Sequence, residues 1–259
     1  MNKRKKSNIR YAVMLSLLLL TAFLFLNFSS TIASENKTST LKITFKNTVN
    51  GIPLVLDSAE YSNIFGEVFR VSKFKYYISN VSLENKTVQQ KEKESYHLMD
   101  ARDSASLSFN YPVTTGEYNE LVFLLGVDSL RNCSGAQTGA LDPMNDMFWT
   151  WNSGYVMVKL EGVSPTSTAV TQRMEYHIGG YRYNNNVVQK IKLHAATPII
   201  ITEGNCTAII IETDISKCWQ AKDRITIAQT PVCTTPGQLA KRIAANYSNM
   251  FSIKNIIDH

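Results

Sequence analysis

The sequence predicts an all-β protein, an antiparallel β-sandwich with long loops and a short C-terminal helix. Three observations predict it. Short runs rich in Val, Ile, Tyr and Thr recur between Asn, Gly, Pro or Ser turn signals, no helical stretch alternates with them, and clear helical spacing is confined to the C-terminal region.

The predicted strands, in order, are residues 41–45, 69–74, 76–83, 96–99, 120–126, 155–161, 173–178, 187–193, 197–201, 208–214 and 224–227. Between the third and fourth, ENKTVQQKEKES (84–95) is too polar to bury a face and reads as a solvated hairpin loop. Toward the end, Thr235-Pro236 predicts an N-cap and first helical position ahead of GQLAKRIAANYSNMF. In that stretch Leu239, Ile243, Tyr247 and Met250 recur at helical spacing and bury one face.

Residues 126–162 carry the most information about function. A loop rich in Gly, Asn, Asp and Ser runs into Phe148, Trp149, Trp151 and Tyr155, and an alternating strand follows. Loops normally carry small polar residues, so two indoles at a loop-to-strand junction read either as a built site or as a plug capping one end of the sandwich.

The N-terminus bears on the compartment. Lys3, Arg4, Lys5, Lys6 and Arg10 precede an apolar run from Tyr11 to Phe28, and Thr31-Ile32-Ala33 fits a small-x-small cleavage pattern. Residues 1–33 are expected to be a secretory signal peptide and 34–259 the folded domain, so the protein is periplasmic or secreted and meets a membrane only through the signal segment. A retained anchor is the competing reading, because the run is close to the roughly 20 residues of a span. No cysteine precedes Cys133, which excludes a lipidated N-terminal cysteine.

Five of the 27 basic residues lie in positions 1–10 and none of the 21 acidic ones precedes Glu35, so the domain has 22 against 21 and is close to neutral. Nucleic acid is excluded as a partner. Cys133, Cys206, Cys218 and Cys233 would enter an oxidising space, where a disulfide is expected. Cys206 and Cys218 flank a strand that would hold them too far apart, whereas Cys133 and Cys233 both sit in polar loops, RNCSG and TPVCTTPG, and are the expected pair.

Several blocks, LKITFKNTVNGIPLVL, VSKFKYYISNVSL, YHLMD, the GVDS…KLEG segment, YHIGGY and TPGQLAKRIAANYSNMFSI, together resemble the MbnP family, periplasmic proteins associated with methanobactin-type copper handling, and in particular its Bacteroidetes-type members. The resemblance implies a β-sandwich that binds copper through histidine and a kynurenine made from tryptophan. It implies as partners a dihaem oxidase like the MauG peroxidases and an outer-membrane transporter. Trp149 and Trp151 are the candidate kynurenines. His177 is the leading candidate ligand, followed by His97; His194 and His259 are weaker. Met144 and Met147 offer soft thioethers to Cu(I), or fill core gaps. The Trp149/Trp151 loop and His177 are expected to converge at one end of the sandwich, with His97 within reach. Two departures stand out: Trp149 is followed two residues on by Trp151 where a methanotroph relative has a histidine, and Asn47 stands where some members carry one.

There is no nucleophile elbow, zinc-protease helix motif or phosphate loop, and an enzyme is not expected. The run Asp142 to Asp146 offers oxygens to Ca²⁺ but lacks the alternating acids of a calcium loop, so a turn is the better reading. The expected function is extracytoplasmic copper binding in acquisition or storage. The alternative is a non-metal binding module that presents the Trp149/Trp151 loop to a protein or small ligand.

Overall fold

A computed structural model describes residues 37–92, 95–135, 137–150 and 153–258. The proposed signal peptide, Trp151 and His259 lie outside them. In chain order the strands are β1 (Thr38–Val49), β2 (Ile52–Pro53), β3 (Tyr61–Ser62), β4 (Val68–Glu84), β5 (Gln89–Lys91), β6 (Tyr96–Asp100), β7 (Ser108–Thr114) and β8 (Gly116–Leu125). Then come β9 (Phe148–Thr150), β10 (Gly154–Val163), β11 (Arg173–Gly179), β12 (Gln189–Ile201), β13 (Cys206–Asp214), β14 (Val232–Cys233) and β15 (Phe251–Asp258). Two α-helices accompany them, α1 (Ser129–Asn132) and α2 (Gln238–Tyr247).

Two sheets form. The smaller runs β15-β13-β1-β2, with β7 also on β1; the larger runs β12-β8-β4-β10-β11-β14, with β3, β5 and β6 on β4 and β9 on β10. Most pairings are antiparallel, as expected, but β1 with β13 and β11 with β14 are parallel. Along β4 the sequence alternates, so Phe74, Tyr76 and Ile78 face the core while Lys73 and Lys75 point the other way. Aromatic rings bridge the sheets: Phe45 of β1 stands edge-on to Tyr76 and Phe123 at 6.1 and 5.9 Å between centroids. Each such ring removes enough apolar surface from water to contribute about 1.5–3 kcal/mol. The Tyr76 hydroxyl donates to Asn47 Oδ1 across the gap, which identifies this face of β4 as the inner one.

The structure redraws several boundaries. The two predicted strands of 69–83 are one, because Lys75 points outward and does not interrupt the ladder. Residues 187–193 and 197–201 likewise merge into β12 across a bulge. Residues 224–227 are not a strand; the Glu67 carboxylate accepts the Ile227 and Ala228 N–H groups at 2.8 and 2.9 Å and holds this stretch as a turn. Strands β7 and β15 were not predicted, and part of 84–95 pairs with β4 as β5.

Helix α2 starts at Gln238, after Gly237, rather than at Thr235-Pro236, and buries Ile243 and Tyr247. Its fully buried Asn246 fixes it in place. There Oδ1 accepts from the N–H groups of Ala221, Lys222 and Asp223, and Nδ2 donates to the carbonyls of Cys218 and Asp223. The expected Cys133–Cys233 bridge is absent, and all four cysteines are free. Cys133 caps the C-terminus of α1 at the surface, whereas Cys233 is buried in β14 opposite Tyr176 of β11. No helix among the described residues is long and apolar enough to cross a membrane.

Candidate functional site

Residues directly opposite in a ladder share a face. Lys159 of β10 lies opposite Lys75 of β4 on one side and His177 of β11 on the other. Glu161 lies opposite Lys73 and Glu175. All six therefore occupy the outer face of the large sheet, away from the core.

A turn from the informative loop covers this face. Pro143–Asn145 form one turn of 3-10 helix, N-capped by Asp142, whose side chain accepts the Met144 N–H, and ended by Asp146 in the left-handed region at φ 61°. Three lysines reach up to the turn. Lys73 Nζ lies 2.9 Å and Lys159 Nζ 3.0 Å from the two carboxylate oxygens of Asp146. Lys75 Nζ donates to the Asn145 carbonyl at 3.3 Å and pairs with Asp100 at 2.9 Å. Lys159 also donates to the Asp146 carbonyl, and only 6% of its side chain is exposed. A buried lysine needs such partners.

Past the turn, β9 carries Trp149 onto the same face. A Cβ added at Gly179 would lie 2.6 Å from Trp149 Cζ3 and 2.9 Å from Cη2, so the six-membered ring rests on bare backbone. Gly179 is two residues from His177 on β11, roughly 7 Å along the strand and on the same face. The histidine Nε2 lies 2.8 Å from Glu161 Oε1, and Glu161 Oε2 lies 3.3 Å from Lys73 Nζ. The hydrogen bond from His177 holds the Glu161 carboxyl below its ordinary pKa against the opposing effect of burial, and Lys73 adds to the lowering. Burial alone would raise the Asp146 carboxyl, but hydrogen bonds from Lys73 and Lys159 leave it lowered. For Lys73, burial alone would lower the ammonium, and Asp146 and Glu161 leave it raised.

The loop is anchored at its other end by Asn132. Its Oδ1 accepts the Tyr155 N–H at 3.0 Å and its Nδ2 donates to the Val127 carbonyl at 2.7 Å. Beneath the loop, the Tyr77 and Tyr155 hydroxyls donate to the carbonyls of Ala140 and Leu141 at 3.0 and 2.6 Å.

Trp149 and His177 thus lie near one another, but on the outer face of the large sheet rather than at one end of the sandwich as expected. His97 does not join them. It pairs with Ile78, shares the inner face with Met99 and Tyr76, and stacks on Phe109 of β7 at 3.6 Å, with Nε2 2.9 Å from Glu92 Oε2. It lines a cleft of about 370 Å³ beside β6, whose wall also includes Lys75 and Asn145. His194 is exposed on β12, opposite Glu120. Met147 is buried in the core and Met144 is 89% exposed at the tip of the turn. The acids of the Asp142 to Asp146 run are taken up by the cap and the lysines. Among the described residues no group of three or more His, Cys, Asp or Glu could hold a metal ion.

Sequence reasoning passed over Lys73, Lys75, Lys159, Glu161 and Gly179, and read Asp146 as part of a turn or a weak Ca²⁺ loop rather than as the partner of two lysines. The alternation in SKFKY and VKLEG puts charges of both signs on one face of neighbouring strands, and that pattern was the available signal.

A sequence profile of the family described as MbnP matches residues 38–235. The chain belongs to the MbnP family. Its fold is similar to that of MbnP from Methylosinus trichosporium, at 14% identity and a TM-score of 0.51, over 76% of this chain and 83% of that one. No curated protein matched. The match to the MbnP profile spans the whole site, from Lys73 on β4 to Gly179 on β11.

Proposed function

We propose that this MbnP-family chain is an extracytoplasmic copper-binding protein of copper acquisition or storage, whose metal is held by His177 together with a kynurenine formed from Trp149. The observation that carries the reading is the seating of Trp149 on Gly179, beside His177 on one face of β11. Residues 1–33 direct the chain out of the cytoplasm. The chain is a substrate and carrier here, not an enzyme.

The donor set bears on the fit. Before oxidation the described residues around Trp149 offer a single imidazole, that of His177, and the ammonium groups of Lys73 and Lys159 oppose a second cation. The residues therefore fit copper only once the indole has been opened. A dihaem peroxidase would consume two molecules of peroxide, insert two oxygen atoms across the indole C2–C3 bond and release two waters. Hydrolysis then removes the formyl group as formate and leaves an aniline nitrogen and a ketone oxygen. With the imidazole these are donors suited to copper. Copper bound there is cargo for a recipient such as an outer-membrane transporter.

Intact-mass analysis of protein made with and without such an oxidase tests the reading. The expected product gains two oxygens, or one oxygen less a carbon after deformylation, and retains copper that the unmodified chain does not. An unmodified mass from the native host overturns it. The non-metal alternative draws on exposed Leu130, Met144 and Tyr183 around the loop and predicts no copper uptake in either protein.

A further inference from the structure

We infer that Lys73 and Glu161 are positioning residues that tie His177 to the tryptophan turn, with Glu161 holding ring Nε2 so that Nδ1 is the nitrogen offered to the metal. The inference takes from the proposed function that His177 is a copper ligand; the linkage itself stands on distances in the chain.

Four side chains from three strands and one turn form a continuous path. Asp146, three residues before Trp149, meets Lys73 at 2.9 Å; Lys73 meets Glu161 at 3.3 Å; Glu161 meets His177 at 2.8 Å. The members on the sheet are mostly covered, with 28% of Lys73, 22% of Glu161 and 17% of His177 exposed, so solvent screens these contacts less than surface pairs. Lys159 holds the other oxygen of Asp146, so the turn is fixed at two points and cannot slide along the sheet while both hold.

The donor rules then select an atom. An ionised carboxylate only accepts, so a neutral His177 presents Nε2–H to Glu161 and keeps its lone pair on Nδ1. A ligating histidine is commonly oriented through its other nitrogen by a carboxylate in this way. Here the orienting carboxylate is already in place without metal, and Lys73 couples its position to the turn that presents Trp149. The ring that must be oxidised and the imidazole beside it are set by one linkage.

Nitrogen NMR of histidine-labelled, metal-free, unoxidised protein reads the tautomer without any copper. The expected result is His177 protonated on Nε2, with the preference lost in Glu161→Ala. In Lys73→Met, amide exchange across residues 145–149 should rise with little change in the melting transition, and Lys73→Arg should restore it. In oxidised protein Glu161→Ala should weaken copper affinity about 10- to 100-fold. An Nδ1–H tautomer in the wild type, or exchange at the turn unmoved by Lys73→Met, overturns the inference. The wild-type spectrum decides the tautomer even if Glu161→Ala does not fold. If oxidised wild-type protein retains no copper while the tautomer and exchange results hold, the copper reading falls and the linkage stands.

Discussion

The six-membered ring of Trp149 lies against the bare α-carbon of Gly179, where a methyl group would come within 2.6 Å of Cζ3 and 2.8 Å of the Tyr155 carbonyl oxygen. The indole and the β10–β11 ladder therefore meet without a side chain between them. Any residue other than glycine at 179 must push the ring off the sheet or push the strands apart.

Gly179→Ala should displace Trp149 and cost about 1–3 kcal/mol through overpacking. The expected outcome is a red-shifted indole emission and a lower urea midpoint. Trp149→Phe in the same background should recover part of the stability, because the smaller ring can yield. Unchanged emission in Gly179→Ala would contradict the contact.

The turn should be held over a defined pH window. Asp146 has a folded pKa below its ordinary 3.8, so its contribution is complete above that value and is lost as pH falls through the folded one. Lys73 is raised above 10.5, so its contribution is complete below that value and is lost as pH rises through the folded one. Amide exchange at residues 144–149 should be slowest, after correction for intrinsic rates, between about pH 4 and 10. Exchange that ignores acid below that window would rule out the lysine clasp.

Asn246 satisfies five backbone groups of the 218–223 segment and is itself fully buried. Asn246→Ala leaves them without partners and should cost about 3–4 kcal/mol, since each unsatisfied buried group costs roughly 1–3 and water recovers some of them. Chemical denaturation measures this directly. A loss under 1 kcal/mol would mean that the segment finds other partners easily.

The thiols should separate into two classes. Burial raises the Cys218 and Cys233 thiols above their ordinary pKa, and neither is accessible. Cys133 is exposed at the surface. A thiol reagent should label Cys133 rapidly in native protein and reach Cys218 and Cys233 only on unfolding. Rapid native labelling of either buried cysteine would contradict their placement.

Much of the architecture was legible in the sequence, because apolar alternation marks strands whatever their neighbours. The nearness of Trp149 to the His177 strand is visible only in the fold; the blocks around them, GVDS…KLEG and YHIGGY, were what singled the two residues out. The assignment of His97 to the same pocket failed for a physical reason. Which face a side chain takes depends on strand register, and YHLMD alone does not say whether His97 or Leu98 lies opposite Tyr77. The ladder puts Leu98 there and turns His97 inward. The lysine clasp was hidden because Lys73, Lys75 and Lys159 on strands read as solvated charges until the Asn145–Asp146 turn, 70 or more residues from the first two and 13 from the third, is laid over them. Of strand β15 only Phe251 fell in the predicted helix stretch, and the polar Ser252, Lys254 and Asn255 hid the rest of the strand.

The parallel pairing of β1 with β13 joins Thr40 to Cys206 and Thr48 to Asp214, and β15 then closes the far edge of β13. A chain emerging N-terminus first, from a ribosome or an export channel, must carry β1 with one edge open until most of the protein has followed. Strand β7 covers one side early, but the β13 side stays exposed with its apolar Leu41, Ile43 and Phe45, a template for pairing with other chains. Such long-range closure makes for slow folding and a wide interval of aggregation risk. Loss of Phe251–Asp258 alone would strip a strand from the sheet that β1 waits to complete.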